Sequence, residues 1–181
     1  MRALNEAILH LPEVQELRES IDAGRCPVAV SGLSGVHRAI VAAALRGEVQ
    51  RPILMLCADE GEAKRMAADL SALCGVEVQL LFAREWQLRD RVTASHGWEQ
   101  QRLGALYHLA SGTADVLVAT VDGMMQRTMP PSALRDAAFT LTVGGRYDLR
   151  TLAEKLTACG YARAETVEGV GQFALRGGIL D

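Results

Sequence analysis

Gly32, Gly35, His37, Arg38 and Ala39 fall in one short run, GLSGVHRA, with residue types and an order from which phosphate chemistry can be built. The run follows an apolar stretch, CPVAVSG, and opens an apolar helix pattern, GVHRAIVAAALRG. A glycine turn between strand and helix offers backbone N–H groups to an anion. The working form G-x-x-x-x-G-K-[ST] adds a lysine for the β- and γ-oxygens and a hydroxyl for magnesium. Gly32 holds the first position, but His37 stands where the second glycine belongs, Arg38 where the lysine belongs and Ala39 where the hydroxyl belongs. A Cβ at His37 obstructs close approach to phosphate, and Ala39 gives magnesium nothing to bind. Arg38 keeps a positive charge, so weak anion binding at the helix N-terminus stays open while catalysis with ATP does not fit. A structural strand, turn and helix is the plainer reading and accounts for the residues better. The later run VLVATVDGM supplies no acidic box, only Asp122, which suits a helix cap.

Other chemistry-bearing side chains form no constellation. His10, His37, His96 and His108 are scattered away from any Ser or Cys nucleophile pattern, so no hydrolytic triad is arguable. Cys26, Cys57, Cys74 and Cys159 lack CxxC spacing and a nearby histidine pair, which leaves no metal site in view and makes them small core hydrophobes. Trp86 and Trp98 could stack on a base, yet a partly buried structural tryptophan is the commoner case. Arg84, Arg89 and Arg91 are offset by Glu85 and Asp90 and read as a solvated loop. With 49% apolar residues, 23% charged residues and a net charge of −3, the chain is an ordinary globular protein rather than a nucleic-acid binder acting through bulk charge. No run approaches the roughly 18 apolar residues of a membrane span. A cytoplasmic location with unpaired thiols and no membrane partner is expected.

The elements that position these groups follow from period and punctuation. Leu9, Leu11, Val14, Leu17 and Ile21 predict an amphipathic helix over about 4–22, interrupted near Pro12 and ended by Gly24. CPVAVSG predicts a short buried strand, GVHRAIVAAALRG a helix closed by Gly47, and RPILMLCA a second strand. DEGEAKRMAADLSALCG is a helix with acidic residues in its first turn, VEVQLLFA a third strand, and residues 84–95 an irregular loop. HGWEQQRLGALYHLASG is again helical, and ADVLVAT is a fourth strand whose exit at Thr120 and Asp122 caps a short helix, GMMQRTM. Apolar strands alternating with helices indicate an α/β layer with a mostly parallel sheet. Pro130 and Pro131 punctuate the chain. Beyond them AFTLTVGG alternates like a half-exposed strand, DLRTLAEKLTACG is an Asp-capped helix, and YARAETV and GQFALRGGILD are strand candidates. The expected organisation is an α/β domain over 1–129 and the beginning of a smaller α+β domain over 130–181. Asp181 falls inside a strand pattern, so the second domain is expected to be incomplete and the parent protein longer.

VSGLSGVHRAIVAAAL, WEQQRLGAL, DVLVATVDGMMQRTMPP and above all GYARAETVEGVGQFALRGGILD resemble the N-terminal region of the bacterial transcription-repair coupling factors. The last motif also resembles, more loosely, the excision-repair protein UvrB. The resemblance covers essentially the whole chain and is weakest over residues 1–20. It implies a helicase-like parallel-sheet layer whose nucleotide loop has decayed, followed by an inserted domain that recruits UvrA. It further implies that recognition of stalled RNA polymerase and ATP- and Mg-dependent translocation on DNA belong to other parts of the parent, leaving this chain with no cofactor and no catalysis of its own. On the family's pattern Arg163 and Arg176 belong to the UvrA-facing surface, where a planar fork of donors suits an interface. Solvated strand arginines are the competing reading. Phe173, three residues from Arg176 and so on the opposite face of an ideal strand, is expected in the core. Gly177 and Gly178 suggest a bulge or close backbone approach. The alternative function is a nucleotide- or DNA-binding helicase-like fragment, which magnesium-dependent nucleotide binding or steeply salt-dependent DNA affinity would reveal.

Overall fold

In the computed structural model, which describes residues 2–49, 51–84 and 96–181, the first amphipathic run is divided at Pro12 into α1 (Arg2–Leu9) and α2 (Pro12–Asp22). Proline at the first helical position sacrifices no hydrogen bond, because that N–H has no intrahelical partner. α3 (Gly35–Val49) runs through Gly47 rather than stopping there. An interior glycine costs about 1 kcal/mol against alanine, too little to end a helix anchored by buried Ala39, Ala43, Ala44 and Leu45. α4 (Glu60–Cys74) has local stop signals at both ends: Asp59 accepts the Glu62 N–H at 2.8 Å, and Gly75 takes the left-handed conformation beyond the last turn.

β1 (Ile53–Cys57), β2 (Gln79–Leu81) and β3 (Val116–Thr120) form a parallel sheet in the order β1-β3-β2, with Met55 and Leu80 both opposite Val118. β3 is central and buried along its whole length, as a parallel strand covered on both faces must be. One face packs Met55, Cys57, Val116 and Val118 against Ala39 and Ala43 of α3 and Ala63, Met66, Ala67 and Leu70 of α4. On the other, Leu81, Leu117 and Ala119 meet Ala105 of α5 (His96–Ala110). That cover does not extend to β1, where Leu54 and Leu56 are exposed.

The strand expected at CPVAVSG does not form. Residues 25–31 join no ladder, and Val28 and Val30 are 41% and 54% exposed. An apolar run becomes a strand only when a neighbour satisfies its N–H and C=O groups, and among the described residues β1 forms the edge of the sheet. The short helix after β3 is α6 (Val121–Met125). Thr120 alone caps it, its Oγ1 accepting the Gly123 N–H at 3.2 Å, while Asp122 lies in the first turn instead of at the cap. Residues 85–95, and with them Trp86, Arg89 and Arg91, lie outside the described residues. No helix among the described residues is long and apolar enough to cross a membrane.

Pro131 opens α7 (Pro131–Ala137), which packs on α5, and Arg135 donates to the Ala110 carbonyl at 2.7 Å. AFTLTVGG is not a strand: Phe139, Leu141 and Val143 are exposed and their backbone joins no ladder. α8 (Leu149–Ala158) is capped by Asp148 and followed by Gly160 at φ +91°. β4 (Ala162–Arg163) pairs parallel with β5 (Gln172–Phe173), and β6 (Leu175–Arg176) pairs antiparallel with β7 (Ile179–Leu180). Gly177 and Gly178, at φ +54° and +102°, make the two-residue turn of that hairpin, a conformation open to glycine at little steric cost. Phe173 is buried as expected, but not through the parity of one strand: Ala174 beside it is buried too, and Arg176 lies on a separate strand of another sheet.

Candidate functional site

Of the groups that a phosphate loop requires, the glycine turn supplies the first glycine. Gly32 has φ +81°, and α3 begins at Gly35. His37 is exposed and hydrogen-bonded to Ser34, Nδ1 to Oγ, at 2.9 Å. Ala39 is fully buried in the packing of α3 against α4, so its position faces the core. Arg38 is engaged: its Nη2 donates to Glu62 Oε1 at 2.5 Å, and Glu62 Oε2 accepts the Ala58 N–H at 3.1 Å. The Ala58 N–H and then the Arg38 guanidinium hold the Glu62 carboxyl below its ordinary value. Burial pushes up the Cys57 thiol beneath this cluster, and the Glu62 charge adds to that effect.

Arg163 and Arg176 come together from strands apart in sequence. Both line a shallow groove of about 440 Å³ with Ala164, Glu165, Thr166 and Leu175. Parallel pairing of β4 with β5 and the turn at Gly177 and Gly178 position the two guanidinium groups. Arg163 is exposed and makes no hydrogen bond or ion pair with the described residues, whereas Arg176 pairs with Asp181 at 2.9 Å. Both arginines and Asp181 are open to solvent, so this pair contributes little, about 0–1 kcal/mol.

Sequence reasoning missed Glu62 as the partner of Arg38. The acidic first turn of α4 was legible, but nothing local pointed from Glu62 to a residue 24 positions away. It also missed Arg102 on α5, whose Nη1 donates to the carbonyls of Phe82 and Gly123 and ties the exit of β2 to α6. Arg84 is held by a two-way backbone contact with Gln126 and an ion pair to Glu99 at 2.6 Å. Of the cysteines, Cys57 is buried and Cys74 half-buried, but Cys26 and Cys159 are exposed, against the expectation that all four lie in the core. The structure does not cluster the histidines it describes: His10 bonds the Glu6 carbonyl and His108 the Thr113 hydroxyl.

Residues 139–181 match the family model described as the UvrB interaction domain. The chain is similar to the transcription-repair-coupling factor of Myxococcus xanthus, 35% identical over 162 residues that cover 85% of this chain and 14% of that protein. The corresponding protein of Bacillus subtilis is 29% identical over 84% of the chain and 13% of its own length. That of Staphylococcus aureus strain MRSA252 is 26% identical over 87% of the chain and 14% of its own length. The chain therefore spans about one seventh of the length of these curated relatives.

Proposed function

The chain belongs to the transcription-repair-coupling factor family, and on that premise we propose that it is a protein-interaction module whose second segment docks UvrA in transcription-coupled nucleotide excision repair. The observation that carries this reading is the groove shared by Arg163 and Arg176 inside the segment similar to the UvrB interaction domain. Guanidinium groups present a rigid fork of donors, and Arg163, exposed and unpaired among the described residues, is placed to engage a partner. The first segment acts as a helicase-like layer with a decayed phosphate loop. In support, Ala39 is sealed in the core and Arg38 is committed to Glu62. Domain organisation follows as an α/β unit over 1–129 and an α+β unit over 130–181. In the whole protein, recognition of stalled RNA polymerase and ATP- and magnesium-driven movement on DNA fall to parts outside this chain, and the module itself performs no catalysis. Its place of action is the cytoplasm.

Titration calorimetry of purified UvrA into this chain tests the reading. Saturable binding is expected, and an Arg163→Ala/Arg176→Ala variant that retains its circular dichroism spectrum should bind at least about thirtyfold more weakly, the loss of roughly 2 kcal/mol that marks a hot spot. A folded double variant that binds as well as the parent chain removes the docking assignment.

A further inference from the structure

Arg38 is the cation that the glycine turn retains, and in the folded chain a carboxylate already answers it. Both oxygens of Glu62 are used: Oε1 by Arg38 at 2.5 Å and Oε2 by the Ala58 N–H at 3.1 Å. The backbone of Glu62 is also fixed, because its N–H donates to Asp59 Oδ1 at 2.8 Å. The carboxylate therefore cannot swing away from Arg38 without also giving up the Ala58 N–H at the end of β1. On the other side, fully buried Ala39 sets the rotation of α3 that turns Arg38 toward α4, and Arg38 Nε is enclosed without a partner among the described residues. The pair is partly shielded, with side-chain exposures of 42% for Arg38 and 24% for Glu62, so salt screens it less than a fully exposed pair.

We propose that Glu62 is the built-in counter-ion of this turn. Its carboxylate takes the place at Arg38 that a bound anion would take, joins α3 to α4 without a ligand and closes the turn to phosphates. A phosphate approaching Arg38 meets the Glu62 carboxylate in place of a free positive charge. Like-charge repulsion then opposes binding that the helix N-terminus alone would favour.

Inorganic pyrophosphate, titrated at low ionic strength against the parent chain, Glu62→Gln, Glu62→Asp and Arg38→Ala/Glu62→Gln, tests this. Calorimetry and the shift in unfolding midpoint give two readouts. The expected result is no saturable binding to the parent chain, and binding to Glu62→Gln at least about tenfold tighter than any the parent shows, since one charged donor is released. The double variant should lose that gain. Pyrophosphate binding by the parent chain as tight as that by Glu62→Gln overturns the proposal, and so does a folded Glu62→Gln chain with no gain. Glu62→Asp keeps the carboxylate and its repulsion, so little gain is expected from it, and a gain as large as that of Glu62→Gln contradicts the role of charge; should Glu62→Gln fail to fold, Glu62→Ala takes its place, and a folded Glu62→Ala chain with no gain overturns the proposal. A double-mutant cycle of Arg38→Ala and Glu62→Gln, read by urea unfolding, should be non-additive. Strict additivity contradicts the pairing on which the proposal rests.

Discussion

Single side chains show how little separates a ligand site from a structural contact. Arg38 carries its positive charge into the first turn of α3, yet its guanidinium points to Glu62, and that choice has a pH signature. The Glu62 carboxyl is held below its ordinary value of 4.5, first by the Ala58 N–H and then by Arg38, with Asp59 and burial opposing. A lowered folded value means that the stabilisation is complete above the unfolded value and disappears as the pH falls through the folded one. The stability difference between the parent chain and Glu62→Gln, measured by urea unfolding, should therefore be constant from pH 8 to about 6 and shrink below about pH 4.5. A difference that grows on acidification would contradict the assignment. Gly123 makes a second point at this scale. A Cβ there would sit 2.5 Å from the Leu81 carbonyl oxygen and 2.9 Å from the Phe82 carbonyl carbon, both backbone atoms that cannot move aside cheaply. Gly123→Ala should cost about 1–3 kcal/mol by overpacking, and a neutral result in urea unfolding would show that α6 can shift away from β2.

Elements in this chain start and stop through local chemistry. Thr120 ends β3 and caps α6 with the same side chain, so Thr120→Ala loses the Gly123 hydrogen bond while leaving its own backbone pairing to β1 intact. The expected loss is about 0.5–2 kcal/mol in unfolding free energy, and replacement by serine should recover most of it. In the second segment the hairpin of β6 and β7 depends on two consecutive residues with positive φ. Gly178→Ala, at φ +102°, should strain the turn and displace Arg176, so the proposed UvrA binding should weaken although no guanidinium has been removed. Full affinity in a folded Gly178→Ala chain would show that the position of Arg176 is not set by this turn.

For the molecule as a whole, the sheet is unevenly covered. Leu70 on α4 is fully buried against one face, while Leu56 on β1 is 53% exposed on the other, where α5 does not reach. Leu70→Ala should cost about 2–5 kcal/mol by cavity formation, and Leu56→Ala well under about 1 kcal/mol, although both are leucines in regular elements of the same layer. Equal losses in thermal or urea unfolding would mean that Leu56 is covered in solution. The same asymmetry leaves the edge of β1 open among the described residues.

Features whose causes are local were legible in the order of residues alone. Pro12 split the first helix, Asp59 and Gly75 bounded α4, Asp148 and Gly160 bounded α8, and the apolar run at Val116–Thr120 announced a strand buried on both faces. That order also carried the family resemblance, through the motif ending in GQFALRGGILD. Which apolar runs found partners depended on packing between segments far apart in the chain. CPVAVSG and AFTLTVGG have strand composition as good as that of β3, but a strand exists only where a second chain segment satisfies its backbone, and proximity of that kind is not written in either run. The same reason applies to the sites. Arg38 meeting Glu62, and Arg163 sharing a groove with Arg176, are consequences of helix and strand packing between distant segments, to which spacing along the chain is blind.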